Sequence, residues 1–321
     1  MMSYRALKKF INANIQPNNI EIFDLIPKDI KSKIVFVVGK YAGNAAAYLS
    51  SIMSACGVSH LHYKDIKDLE INRRFSLNGL SVSLDAICDS AENILSKSKR
   101  RLSNRDLFLL LSLSFDIVDY ICIEVDEDYY NHIKYNISHF ALIIADNNDE
   151  KASALINSTP NGTAEIISLS KKNNYDYISN KRAKNGARIT LASPNKITYA
   201  NANLLGTEFY HFDYLYHISA LDLNNISSAY LAIEAAQVLI GAPRPYIYKG
   251  LENAKIPHDL ELYSLSPAIL LRRGKNDFKL HHRLKFKTVT EDDEFETPTQ
   301  NTVFCGSEDY IETIKHKLKK R

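Results

Sequence analysis

Residues 34–49 read IVFVVGKYAGNAAAYL, which is a run of five apolar residues, a turn with two glycines and an alanine-rich segment. A short apolar run that is bounded by a turn is typical of a strand buried in a parallel sheet, and the alanine-rich segment predicts a helix. A phosphate-binding loop has this order of elements, because the backbone N–H groups between its strand and its helix surround the phosphates. The stretch therefore predicts an α/β domain built around a loop of this type.

The residues that carry phosphate chemistry in such a loop are replaced here. A functional loop places Lys and then Ser or Thr at the start of the helix. In this chain Asn44 stands where Lys is expected, Ala45 and Ala46 stand where the hydroxyl is needed, and Lys40 comes too early for the usual geometry. Two interpretations stay open, a remodelled anion site at the helix N-terminus or a tight turn without a ligand. Both rest on the same three residues: Gly39, Lys40 and Gly43.

Composition indicates an ordinary globular protein. The chain has 321 residues, 45% hydrophobic and 24% charged, which predicts one large or two moderate domains. A net charge of +3 is too small to indicate nucleic acid, and four scattered cysteines indicate neither a disulfide framework nor a zinc site. Because no apolar stretch has the length of a signal peptide or a membrane span, we expect a cytoplasmic protein with no membrane partner.

Helical and strand patterns alternate through the first half of the chain, as in a doubly wound α/β fold. The sheet is predicted to be mostly parallel and flanked by helices. Strands are predicted at 34–38, 59–63, 119–125, 139–145 and 164–169, and helices at 4–14, 43–56, 83–98 and 104–115, the last capped by Asn104.

The second half has a less regular pattern. Residues 187–200 predict a hairpin that turns at 193–195, and residues 208–216 predict one half-exposed strand. The remaining predictions are helices at 227–240 and 246–254, strands at 260–263 and 267–271, an acidic linker at 291–294, and a last strand and helix. We expect a central domain at 1–285 and a strand–helix remnant at 286–321.

Residues 63–83 carry a resemblance to a known family. They read YKDIKDLEINRRFSLNGLSVS and follow without a gap the pattern YTSPHLxxxxERIxINGxxIS, with Arg74, Asn78, Gly79 and Ser83 on the pattern's own letters. The Asn-Gly pair also predicts a hairpin turn by itself. Similar matches occur at 118–125, 224–239 and 248–276. On these segments the chain resembles the folylpolyglutamate synthase/dihydrofolate synthase family of Mur-type amide ligases, in a divergent and C-terminally truncated form.

The resemblance implies a P-loop-type Mur ligase central domain and an ATP-dependent, amide-forming reaction with Mg-ATP. It implies a metal-associated carboxylate at Glu124, and nucleotide contacts at Lys275 and Asn276, in the segment RRGKN where the family has DGAHN. The family's TSPH segment has become 64–67, its Gly-rich stretch has become 126–129, and 45 residues follow Asn276, too few for the family's C-terminal domain.

Losing these groups together favours a degenerate homologue, catalytically inactive, that acts by binding a partner protein, a second copy of itself or a small anionic ligand. The alternative is an active carboxylate–amine ligase in which Lys40 replaces the absent lysine and Glu124 carries Mg²⁺. On its own, Glu124 is better explained as a solvated strand end than as a metal ligand, and the acidic run at 126–128 is explained as a solvated loop or a hard-cation site. The tyrosines of 208–216 fit an interface or a half-buried strand.

Overall fold

The computed structural model describes most of the chain, in segments. The described residues are 2–13, 22–65, 70–98, 102–170, 186–193, 196–203, 206–220, 223–256, 261–264, 269–272, 287–290, 293 and 302–319.

An eight-stranded sheet forms the centre of the fold, with the order β4-β3-β2-β5-β1-β6-β7-β8. Its strands are β1 (Lys33–Val38), β2 (His60–Tyr63), β3 (Phe75–Leu77), β4 (Leu80–Ser81), β5 (Tyr120–Val125), β6 (Ala141–Ile144), β7 (Glu165–Leu169) and β8 (Arg188–Ala192). The strands from β2 to β8 in this order pair in parallel, and β3 and β4 add an antiparallel hairpin at one edge. This confirms the predicted α/β class.

Helices cover both faces of this sheet. They are α1 (Tyr4–Asn12), α2 (Ala42–Ala55), α3 (Leu84–Lys97), α4 (Asn104–Ser114), α5 (Glu127–Ile133), α6 (Asp149–Ser158), α7 (Leu223–Ile240) and α8 (Arg244–Asn253). Alternate residues of β1 enter different cores, since Phe36 packs with α1 and α3–α6 whereas Val37 packs with α2, α7 and α8. Side chains of a strand point alternately to the two faces, so a strand covered on both sides must be apolar throughout. That is why residues 34–38 contain no polar position.

Two smaller sheets follow in the chain. Strands β9 (Thr198–Asn203), β10 (Gly206–His211) and β11 (Tyr214–Ile218) form an antiparallel sheet. Strands β12 (Glu261–Ser264), β13 (Ile269–Arg272), β14 (Lys287–Thr290) and β15 (Thr302–Gly306) form a mixed sheet, which precedes the helix α9 (Glu308–Lys319). In this sheet β12 and β13 are antiparallel, whereas β15 pairs in parallel with β13 and with β14. The predicted C-terminal strand and helix are β15 and α9. The boundary at 285 stays a prediction, and the small sheet joins strands from both sides of it.

The hairpin predicted at 187–200 is wrong. Strand β8 pairs in parallel with β7 in the large sheet, whereas β9 pairs antiparallel with β10 in another sheet. Two alternating segments around a turn signal are typical of a hairpin, but the same pattern occurs where a chain leaves one sheet for the next.

The single strand predicted at 208–216 is also wrong, because β10 and β11 form a hairpin that turns at Phe212 and Asp213. No glycine marks this turn, and Phe212 itself adopts the positive φ of +52°. In contrast, the turn predicted at Asn78-Gly79 is confirmed, with φ values of +51° and +85°.

Helix boundaries differ in smaller ways. The N-cap of α4 is Ser103 rather than Asn104, since the Ser103 hydroxyl accepts from the Asp106 N–H. Helix α7 begins at Leu223, four residues before the prediction. Helices α5 and α6 and strand β14 were not predicted, because each is short and lacks a clear apolar period.

Candidate functional site

The loop after β1 is tied to the end of β6. Gly39 has φ +118°, and a Cβ at this position would lie 2.7 Å from the Ala145 carbonyl oxygen. The Tyr41 N–H donates to the same oxygen over 2.9 Å. Only glycine tolerates both the backbone conformation and this close approach, so the predicted role of Gly39 in a tight turn has a clear structural cause.

The chain's own acceptors take up the first N–H groups of the loop. The Lys40 N–H donates to Asp146 Oδ2 over 3.4 Å, and the Ala42 N–H donates to the Gly39 carbonyl over 3.1 Å. The Lys40 side chain is exposed, and its ammonium lies 5.6 Å from the centre of the Tyr41 ring. A carboxylate therefore accepts from one of the N–H groups of the loop.

The start of α2 packs against α7. Asn44 Nδ2 donates to Asn225 Oδ1 over 2.6 Å, which holds the residue at the expected lysine position as a neutral, hydrogen-bonded amide. Ala45 and Ala46, at the expected hydroxyl positions, are 2% and 0% exposed. These alanines form part of the core between α2 and the sheet.

Glu124 lies beside the loop, on the adjacent strand β5. Its side chain is buried, and Oε1 accepts from His62 Nε2 over 2.6 Å while Oε2 accepts from the Asp65 N–H over 3.1 Å. The same Oε2 lies 3.4 Å from where a Cβ on Gly43 would be. The structure thus brings Glu124 and Gly43 together, and it supplies the carboxylate with donors from the chain itself.

His62 was not found from the sequence. It lies on β2, which pairs with β5 in parallel, so the contact depends on strand order. The alternating segment SHLHY was a signal for a strand, but it did not indicate the neighbour of that strand.

A cavity of about 10 Å³ separates Glu124 from the start of α5 and is lined by Asp65, Arg105, Asp126 and Tyr129 among others. Such a volume is about that of one water probe. Burial raises the pKa of the Asp65 carboxyl, while the nearby Arg105 lowers it. Asp126 forms an ion pair with Arg105 and caps α5 by accepting from the Tyr129 N–H over 2.8 Å.

This neighbourhood does not form an evident metal centre. Within the described part of the chain, no group of three or more His, Cys, Asp or Glu is arranged to hold a metal ion. The acidic run 126–128 is a cap and the first turn of α5 rather than a loop. The predicted role of Glu124 as a metal ligand stays a prediction.

The remaining predicted site residues, Lys275 and Asn276, lie outside the described residues. The same is true of Arg273 and His258. The site that can be described therefore consists of the loop 39–44 with Glu124, His62 and Asp146.

A buried serine–histidine pair also lies near this face of the sheet. Ser50 Oγ and His60 Nε2 are 2.8 Å apart, and His60 Nδ1 donates to the Val58 carbonyl over 2.9 Å. Burial lowers the pKa of His60 to about 4. Because both side chains are buried, the pair is a satisfied core contact and not an accessible nucleophile.

The parallel sheet, the glycine-bearing loop between β1 and α2, and the carboxylate on β5 define a Mur ligase-like α/β fold. Solved structures of folylpolyglutamate synthases have this fold. The enzyme from Thermotoga maritima aligns over 98% of this chain and 96% of its own, with a TM-score of 0.74 and 14% identity. The enzyme from Lactobacillus casei aligns over 99% and 100%, with a TM-score of 0.71 and 14% identity.

The bifunctional folylpolyglutamate synthase/dihydrofolate synthase from Yersinia pestis aligns over 98% of both chains, with a TM-score of 0.64 and 14% identity. One bifunctional enzyme of this kind was solved with Mn, AMPPNP and L-glutamate bound. No protein-family model and no curated protein sequence matches the chain. At 14% identity these likenesses show the fold. They confirm the resemblance indicated by residues 63–83 as a resemblance of fold.

Among the described residues, none of the helices combines the length and the apolar character needed to cross a bilayer.

Proposed function

We propose that this chain is a degenerate ligase homologue that does not hydrolyse ATP and that acts by binding. One observation carries the proposal: the residues at the expected lysine and hydroxyl positions of the loop are engaged in packing within the chain itself. Asn44 is paired with Asn225, Ala45 and Ala46 lie in the core, and Asp146 accepts from the Lys40 N–H. The described residues of the loop do not fit Mg-ATP.

Electrostatics supports this proposal. Catalysis of phosphoryl transfer consists largely of neutralising phosphate charge with cations and N–H groups. Two like charges 4 Å apart repel by about 1 kcal/mol in water and by about 4 kcal/mol at an effective dielectric constant of about 20. A triphosphate placed at this loop would meet the carboxylates of Glu124 and Asp146 with neither the lysine nor the Mg²⁺-binding hydroxyl that accompany such a carboxylate in a functional loop.

The same observations bear on the alternative, an active ligase that uses Lys40. Lys40 is exposed and its side chain is flexible, which favours this alternative. The buried positions 45 and 46 carry no hydroxyl, which counts against it. This alternative requires that Glu124 bind Mg²⁺ through a lone pair that its hydrogen bonds to His62 and the Asp65 N–H leave unused. The binding proposal has no such requirement.

For the binding surface we propose the tip of the β10–β11 hairpin, defined by Tyr210, Phe212, Tyr214 and Leu215. All four side chains are exposed, and Phe212 is 67% exposed. Arg244 stacks on Tyr214, with 3.3 Å between the guanidinium carbon and the ring centre. Aromatic residues and Arg are enriched at protein interfaces, so the hairpin tip suits a protein partner or a second copy of this chain.

Phe212 gives a further reason for this choice. A bulky residue at positive φ is strained, and the largely exposed ring of Phe212 offsets little of that strain, through an edge-on contact with His211 at 4.8 Å between ring centres. Asparagine tolerates this conformation well. We therefore expect Phe212→Asn to leave the fold at least as stable as before, while weakening association with the partner.

Calorimetric titration with ATP and Mg²⁺ tests the first part of the proposal. We expect neither heat of binding nor thermal stabilisation, whereas a ligand at about 100 times its Kd would stabilise the fold by about 2.7 kcal/mol. A folylpolyglutamate synthase measured in parallel is the positive control. Saturable, Mg²⁺-dependent binding that Lys40→Ala abolishes would refute the proposal and favour the alternative.

Sedimentation equilibrium of the wild-type chain and of Phe212→Asn tests the hairpin tip. Self-association that the substitution weakens about tenfold would identify the partner as a second copy. Self-association that is equally strong in both proteins would exclude the hairpin tip as the self-contact. Leu80→Asn is the matched control, because Leu80 is also exposed and also follows a turn, on β4.

A further inference from the structure

The exposed apolar side chains of the molecule are concentrated in one place. Among the described residues, six of the nine large apolar side chains that are exposed lie on the β10–β11 hairpin or on α8. Four of them form the hairpin tip, and the other two are Tyr246 and Tyr248 on α8, which are 46% and 44% exposed. Single exposed apolar residues need no explanation, whereas a cluster of them marks an interaction surface.

Helix α8 continues the surface of the hairpin tip. Arg244, the first residue of α8, joins the two elements, because its guanidinium carbon lies 3.3 Å from the centre of the Tyr214 ring. Tyr248 follows four residues later and is therefore a neighbour of Arg244 on the helix surface. The exposed parts of Tyr248 and the hairpin tip amount to about 500 Å². A standard interface buries about 800 Å² per partner, so this surface suits a weak dimer.

Arg244 offers unused donors at this surface. One face of its guanidinium plane stacks on Tyr214, and within the described part of the chain no carboxylate accepts from its N–H groups. Stacking holds the side chain in place, which reduces the conformational entropy that it loses on binding. A guanidinium presents five donors in a fixed fork that matches a carboxylate. Arg244 therefore favours a carboxylate on the molecule that covers this surface.

The same surface carries a carboxylate of this kind. Asp213 is exposed at the turn of the hairpin, between Phe212 and Tyr214, and it forms no ion pair with any of the described residues, Arg244 included. In an isologous interface the same patch of each copy meets itself about a two-fold axis. Each copy can then supply the carboxylate that the other copy's guanidinium lacks.

We infer that this surface pairs two copies of the chain about a two-fold axis, with Asp213 of each copy against Arg244 of the other. The hairpin tip and Tyr248 surround these two contacts. Charge complementarity selects a second copy as the occupant, since the chain supplies both the cation and the carboxylate. The inference rests on the proposed function, in which the hairpin tip is the binding surface, and it names the partner and the contact.

Charge reversal, followed by sedimentation velocity of the full chain, tests the pairing. Asp213→Arg leaves only cations at each contact and Arg244→Asp leaves only carboxylates, so each variant alone should self-associate at least about tenfold more weakly than the wild type. An equimolar mixture restores opposite charges at both contacts and should associate about tenfold more tightly than either variant alone. Asp89→Arg is the matched control, since Asp89 is exposed on α3, on the other face of the large sheet.

A mixture that associates no better than the single variants would overturn the inference, because it would show that the two charges do not meet. A wild-type chain that stays monomeric at high micromolar concentration would also overturn it. Both substituted positions are exposed, and far-UV circular dichroism of each variant separates a loss of association from a loss of fold. Neither result concerns Mg-ATP, so failure of the inference is distinguishable from failure of the proposed function, which the calorimetric titration detects.

Discussion

The contact between Glu124 and His62 yields the sharpest prediction about the candidate site. Replacing Glu124 with Leu removes one buried acceptor and leaves two donors, His62 Nε2 and the Asp65 N–H, without a partner. A buried donor that loses its partner costs about 1–3 kcal/mol, so we expect Glu124→Leu to lower the free energy of unfolding by about 3–5 kcal/mol.

A double-mutant cycle separates this contact from general packing effects. His62→Leu leaves the Glu124 Oε1 without its donor, while the double variant leaves only the Asp65 N–H unpaired. The two substitutions should therefore be non-additive, with a coupling of about 2 kcal/mol or more. Because the chain contains no tryptophan, urea unfolding followed by far-UV circular dichroism is the suitable assay. Additive losses would refute the reasoning.

The same variants distinguish the pair from a metal site. If the carboxylate is engaged by His62 and Asp65, as the distances indicate, Mg²⁺ should leave the unfolding midpoint of the wild-type chain unchanged. Stabilisation by Mg²⁺ that disappears in Glu124→Leu would instead identify Glu124 as a metal ligand, in agreement with the alternative function.

Three further predictions concern His60, Gly250 and Gly43. Burial lowers the pKa of His60 from 6.5 to about 4, so the unfolded state takes up its proton first as the pH falls. The free energy of unfolding should then decline between about pH 6.5 and 4 by up to about 3 kcal/mol, and His60→Gln should flatten that decline in pH-dependent urea titrations. Gly250→Ala should destabilise the fold by about 1–3 kcal/mol, measured by urea unfolding, because its Cβ would lie 2.5 Å from Ile52 Cα across the contact between α8 and α2. Gly43→Ala should be neutral or stabilising by up to about 1 kcal/mol in the same assay, since its nearest neighbour, Glu124 Oε2, lies at 3.4 Å; a large loss would indicate that the loop needs this glycine.

The central strand and its loop could be predicted because their physical requirements are local. A strand that is buried on both faces needs an apolar residue at every position, and residues 34–38 meet that condition. Gly39 marks a positive φ, and the Asn-Gly pair at 78–79 marks a hairpin turn. Glu124 was indicated by the family resemblance rather than by a local pattern, and it lies near the loop because the ends of parallel strands meet at one edge of the sheet.

Contacts that depend on strand order could not be predicted in this way. His62 meets Glu124 only because β2 lies next to β5, which is a property of the assembled sheet. A cavity where β1 and β6 begin is formed by the segments 26–34 and 136–140, about a hundred residues apart in the chain, so no local pattern marks it. The hairpin at Phe212 escaped prediction because a strained phenylalanine occupies a position where glycine or asparagine would be expected.

The changes in the loop are linked through packing, and this has a consequence for the proposed function. Ala45 and Ala46 are in the core, Asn44 is bonded to α7, and Gly43 faces a carboxylate that is itself bonded to β2. Replacing Asn44 with lysine would break the hydrogen bond to Asn225. Replacing Ala46 with serine or threonine would bury a hydroxyl group that has no hydrogen-bond partner in place. Restoring one residue at a time would therefore destabilise the helix start before it created a phosphate site.

Under the binding proposal, Asn44→Lys should lower the free energy of unfolding and still confer no ATP binding. If that single substitution restored nucleotide binding without a loss of stability, the loop would be a nucleotide site that lacks one residue, and the argument from packing would fail.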